Sequence, residues 1–124
     1  MQTSRRREWM DVVNRGALED YVDLMTEDVV WLPPAGEPIL GREAFRAWLE
    51  PFLARYAYGF SVEPVQRRSW EGWCAELGRF RARLSEGPRD KGREHGGPYF
   101  VLWRREGDGA WRIERYVDGL AGET

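Results

Sequence analysis

One cysteine (Cys74), one lysine (Lys91) and one histidine (His95) occur in 124 residues. A lone cysteine cannot close an internal disulfide, and such usage fits a reducing compartment, so a cytoplasmic location is expected. One His and one Cys far apart offer no metal-ligand spacing, so neither a metal nor another cofactor is expected. No apolar run reaches the 18 residues of a membrane span. The N-terminal MQTSRRREW leads into DVVNRG rather than a signal-peptide core. A secreted or membrane-spanning protein is therefore not expected, and Arg5-Arg6-Arg7 reads as a solvated helix start. Excess positive charge is also missing: 19 basic against 21 acidic residues leave a formal charge of -2. Neutralising several phosphates needs the opposite balance, so no nucleic-acid partner is expected.

What the chain has is apolar and aromatic mass. It is 42% hydrophobic and 14% aromatic, with seven Trp, enough for one compact core over residues 1–124. In SRRREWMDVVNRG, Trp9, Val12 and Val13 recur at helical spacing between Ser4, a candidate N-cap, and Gly16, a candidate stop. In ALEDYVDLMT, Leu18, Tyr21, Val22 and Met25 repeat the pattern, which predicts a second helix bent against the first. DVVWL, β-branched and aromatic, reads as a short strand stopped by Pro33-Pro34. From Gly41, Phe45, Trp48, Leu49, Phe52 and Leu53 mark a third helix, with Pro51 expected to distort its last turn.

Beyond Tyr56 the period falls to two. YGFSVEPVQRRSW, EGWCAELGRFRARL, PYFVLWRRE and AWRIERYVDGL are four strand-like runs separated by turn signals, the strongest being Asp108-Gly109. They predict an antiparallel meander, with a mobile, featureless loop at 85–97 that carries His95. Helices first and strands afterwards is an α+β plan. Three helices can cover one face of a curved sheet, so a second copy of the chain is expected on the other, giving a homodimer.

ALEDYVDLMTEDVVWLPPAGEPILGREAFRAWL, with YFVLWRREGDGAWRIERYVDG near the end, resembles the SnoaL-like and ketosteroid-isomerase-like branch of the nuclear transport factor 2-like (NTF2-like) superfamily. The resemblance spans nearly the whole chain. It implies a cone-shaped curved antiparallel sheet covered by three N-terminal helices. The cone hosts isomerases, epoxide hydrolases, cyclases, dehydratases and noncatalytic binders, so the fold does not choose among them. It also implies that the chain leaves the sheet at the cone's mouth after Trp31-Leu32, where Pro-Pro-Ala-Gly spends no unpaired amides.

Carried over by position, the isomerase base falls at Pro33, its tyrosine near Trp9 and its acid near Val101, none of which can do that chemistry. The epoxide-hydrolase pattern finds its Arg at Arg79 and its terminal Asp at Asp118, but Arg81 stands where a second carboxylate belongs. The family's strand facing turns Trp31, Pro33, Leu77, Arg79, Arg81, Tyr99, Val101, Trp103, Glu114, Tyr116 and Asp118 inward, joined by Trp9 from the helix. Against this, Trp111, Ile113 and Val117 form an apolar set of opposite parity on the last strand.

Two functions follow as alternatives for a small organic ligand in the cone. One is a lyase, isomerase or cyclase using Asp118 or Glu114 as acid/base and Arg79 to polarise substrate, with Trp9, Trp31, Pro33, Arg81, Tyr99, Val101, Trp103 and Tyr116 as ligand contacts. The other is a noncatalytic ligand-binding or protein-interaction module. A cavity of several hundred cubic ångströms with an inward carboxylate favours the first; one filled by Trp31 and Trp103 favours the second. His95 has the residue type for proton transfer near neutrality, but its loop setting favours a plain surface histidine.

Overall fold

A computed structural model describes residues 3–33 and 36–119 of the chain. Helix α1 spans Thr3–Arg15 and α2 spans Leu18–Asp23. Trp9, Val12 and Val13 form the buried stripe of α1. Ser4 lies inside this helix rather than capping it. Gly16 does end it: at φ 63 it donates to Val13 O while Ala17 donates to Val12 O, a paired closure that needs a left-handed residue.

Strand β1 (Met25–Leu32) begins earlier than the apolar run suggests and takes in the Thr26-Glu27-Asp28 cluster. A two-residue edge strand, β2 (Ile39–Leu40), pairs antiparallel with it and was not expected. Helix α3 (Arg42–Arg55) buries Phe45 and Leu49 and runs on through Pro51 to Arg55. Pro34 and Ala35, half of the expected Pro-Pro-Ala-Gly turn, lie outside the described residues.

The rest of the sheet is β3 (Ala57–Trp70), β4 (Trp73–Ser85), β5 (Arg93–Arg105) and β6 (Trp111–Asp118), in the order β2-β1-β6-β5-β4-β3. The expected meander is present, its β5–β6 hairpin turning at Gly109 (φ 86). The sheet is not antiparallel throughout, because β1 runs parallel to β6. Hairpin turns dictate direction only from β3 onward; β1 reaches β6 across the whole intervening chain, and no turn constrains it. Strand β5 starts at Arg93, so residues 93–97 of the expected 85–97 loop are sheet.

The three helices pack on the inner face over a core of Trp9, Met25, Phe45, Val101, Trp103 and Ile113. On the outer face, Leu77, Phe100, Val117 and Leu32 stand in register across four adjacent strands. Leu77 is 48% exposed and Val117 38%.

Candidate functional site

Strand β6 is where the inner face acquires its polar group. Between the pairs Leu102↔Arg115 and Trp103↔Ile113 the register slips by one residue, a bulge at Glu114. Ile113, opposite Trp103, faces the core before the bulge; Tyr116, opposite Val101, and Asp118, opposite Tyr99, face it afterwards. The two parities that conflict in the sequence are thus both inward, on either side of one extra residue. Val117 is left outside.

Asp118 lies at the mouth of the cone, in a cavity of about 230 Å³ lined by Trp31, Pro33, Trp48, Phe52, Tyr58, Phe80, Ala82, Leu84, His95 and Asp118. The Tyr116 hydroxyl donates to Asp118 Oδ2 at 2.7 Å. Asp118 Oδ1 is buried and has no partner. Burial holds the Asp118 carboxyl above its usual range, and the Tyr116 hydrogen bond pulls it back only in part. Burial, and then the Asp118 charge, push Tyr58 up to about 12 and raise Tyr116 further. Both phenols therefore remain neutral hydroxyls. Trp31 stacks on Tyr116 at 4.0 Å and 18°, which fixes the donor behind Asp118.

Below this cavity lies a cluster of buried aromatic side chains. Trp9 is fully buried and packs edge-on against Tyr99, Trp103 and Tyr116 at 5.8 to 6.1 Å. Trp9, Tyr99, Val101 and Trp103 all face inward, yet they fill the interior and do not line the open cavity. Arg6 of α1 makes a two-point contact with the fully buried Glu76 of β4, Nη2 to Oε1 at 2.7 Å and Nε to Oε2 at 3.1 Å. This pair was not anticipated.

Arg79 and Arg81, expected inward, are exposed on the outer face, in register with Glu63 and Ser61 of β3. They line an open depression there with Gly96 and Gly97 and do not meet Asp118. Leu77 is outward with them. On β4 the inner set is Cys74, Glu76, Gly78, Phe80 and Ala82. Its Glu is matched by Arg6 and its Gly accommodates Tyr99, so the inner parity looks polar while Leu77 lends an apolar look to the outer one. Glu114 also leaves the site: the bulge turns it outward, where it accepts from Arg104 at 3.3 Å and lies 3.7 Å from Arg115.

His95 is no loop residue. It sits in β5 opposite Ala82, half-buried, in the cavity wall. Counting back from Tyr99 through Gly97 by twos would have found it, but Gly96-Gly97-Pro98 reads as a break. Trp48 and Phe52, from the apolar stripe of α3, form the rim, their rings parallel within 12° at 6.0 Å. Among the described residues, no group of three or more His, Cys, Asp and Glu is placed to hold a metal ion. No described helix is long and apolar enough to cross a membrane.

Three solved structures show the same fold at low sequence identity. A conserved protein from Planctomyces limnophilus superposes with TM-score 0.85 at 22% identity, covering 95% of this chain and 91% of its own. A ketosteroid isomerase-like protein from Erwinia carotovora gives 0.81 at 12% identity, covering 96% and 92%. A proposed dehydratase of the NTF2-like family from Streptomyces avermitilis gives 0.79 at 15% identity, covering 95% and 92%. No curated protein matches the chain in sequence. The SnoaL-like domain profile matches residues 7–116, and with that span and this fold the chain belongs to the SnoaL-like family of NTF2-like proteins.

Proposed function

We propose that the chain binds a small organic molecule in the aromatic cavity at the mouth of the cone and that Asp118 exchanges a proton with it. The supporting observation is the state of Asp118: one carboxylate oxygen is fixed by Tyr116, and the other is buried without a partner at the cavity wall. A carboxylate so placed can take a proton from an acidified C–H or O–H and return it elsewhere on the same molecule, the elementary step of an isomerase, lyase or cyclase. Burial brings its proton affinity nearer to neutrality, which suits both directions of transfer. Relatives of this fold named ketosteroid isomerase-like and dehydratase fit such chemistry. With Arg79 outside, polarisation of the substrate falls to the neutral hydroxyl of Tyr58 and to His95.

A noncatalytic binder is the second reading, favoured by the fully buried Trp9 and Trp103, which occupy the interior below the cavity. Fluorescence of Trp31 and Trp48, both in the cavity wall, can screen small cyclic compounds for binding, and mass spectrometry then shows whether a bound compound is altered. Turnover by the wild type that is lost in Asp118→Asn, with binding retained, supports the acid/base reading. Binding without chemical change supports the module. We further propose a homodimer across the outer face, and the cytoplasm as the protein's location.

A further inference from the structure

Within the proposed small-molecule site, on which this inference rests, the chemistry of the wall selects the ligand's charge. Trp31, Trp48, Phe52 and Tyr58 form a continuous arch of rings, successive centroids lying 6.5, 6.0 and 5.3 Å apart. Asp118 closes the arch with an unpartnered carboxylate oxygen. No Arg or Lys stands among the residues lining the cavity. The one other ionisable cation former, His95, is four residues along β5 from Tyr99, the register partner of Asp118. It makes no hydrogen bond to Asp118, whose Oδ2 is taken by Tyr116 and whose Oδ1 has no partner.

We propose that this cavity recognises an organic ammonium group, a protonated or quaternary amine carried on a small apolar body. Aromatic faces attract cations through their quadrupoles, and the attraction strengthens where water is excluded. The ammonium also supplies the positive charge that Asp118 lacks, while the apolar body covers Phe80, Ala82 and Leu84 farther along the wall, away from the buried core. A hydroxyl could satisfy the carboxylate oxygen but gains nothing from the rings. A carboxylate ligand would meet Asp118 with no cation beside it, and like-charge contact at low polarity rejects it.

Three probes of nearly one shape test this: benzylammonium, benzyl alcohol and benzoate, each titrated into the full chain at pH 7.5 with tryptophan fluorescence and calorimetry. Benzylammonium is expected to bind at least tenfold more tightly than benzyl alcohol, and benzoate to show no saturable binding. In Asp118→Asn, checked for an unchanged near-UV dichroism spectrum, the preference should fall severalfold to what the rings alone supply, while benzyl alcohol binds as before. Equal or tighter binding of the alcohol or of benzoate by the wild type overturns the ammonium assignment and leaves the small-molecule cavity standing. A preference undiminished in Asp118→Asn overturns it likewise. Saturable binding of none of the three overturns both the assignment and the cavity reading.

Discussion

Asp118 is held in a state that folding disfavours. Its carboxyl is raised above the usual range mainly by burial, so the folded chain binds a proton there more tightly than the unfolded chain does. A raised folded value means that the stabilising contribution is complete below the ordinary carboxylate value, about 3.9, and is lost as pH rises through the folded value. At neutral pH the charged form therefore costs stability. Asp118→Asn removes the charge and keeps an oxygen to accept from Tyr116, so it should melt a few degrees above the wild type at pH 7, since ~1 kcal/mol moves Tm by about 4 °C at this size. The difference should shrink to nothing below pH 4, as calorimetry across pH will show. Gly78 illustrates the opposite constraint. A Cβ there would collide with Glu63 O of β3 and approach Tyr99 Cε1 to 2.7 Å and Pro64 Cα to 2.9 Å. Two of the three obstacles are backbone atoms and cannot swing aside. Gly78→Ala should thus cost about 1–3 kcal/mol in urea denaturation, whereas Gly87→Ala, with open space around its Cβ position, should not.

At the scale of elements, the Arg6–Glu76 pair joins the first helix to the middle of the sheet. Glu76 is wholly buried, and Arg6 is 9% exposed at residue level. Burial of such a pair contributes little net stability, but removing one partner strands a charge in low polarity. Arg6→Met should therefore cost about 3–5 kcal/mol in chemical denaturation, and Arg6→Met combined with Glu76→Met should recover most of it. Additive losses in the double variant would show that the two side chains do not act as a pair. The same residues explain which parts of the architecture were legible in the chain. Helices, meander and hairpin turns follow from local spacing at Trp9, Phe45 and Asp108-Gly109, and these elements form as that spacing predicts. Spacing alone reverses the facing of β4, because a buried Glu is recognisable only when its Arg partner, seventy residues away, is known to arrive. The bulge at Glu114 has no local mark either. Without it, Tyr116 and Asp118 cannot share a face with Ile113, and the apparent conflict of parity on β6 was the one trace it left. For the site, Asp118, Trp31 and Pro33 reach the cavity from the family's facing, while His95, Trp48 and Tyr58 enter it through packing that spacing alone does not encode.

For the molecule as a whole, the uneven treatment of the sheet's two faces supports the proposed homodimer. All three helices lie on the inner face, so nothing among the described residues covers the outer one. There, Leu77, Phe100, Val117 and Leu32 run across four neighbouring strands in register, and the next rung adds Ala75, Leu102 and Val30 around the charged Arg115. Soluble monomers seldom expose an apolar patch of this continuity. A second copy laid on the first by a two-fold axis would cover both stripes at once, because each residue then meets the same surface it belongs to. A stable pair needs roughly 800 Å² from each partner, a demand that a face of four long strands can meet. Sedimentation equilibrium at micromolar concentration should therefore report twice the 14.5 kDa chain mass. Leu77→Glu with Val117→Glu puts four new carboxylates into the shared interface and should give monomers, with unchanged near-UV dichroism because both side chains point away from the core. A wild type that sediments as a monomer would leave the stripe without its proposed partner. A double variant that stays dimeric would move the interface elsewhere.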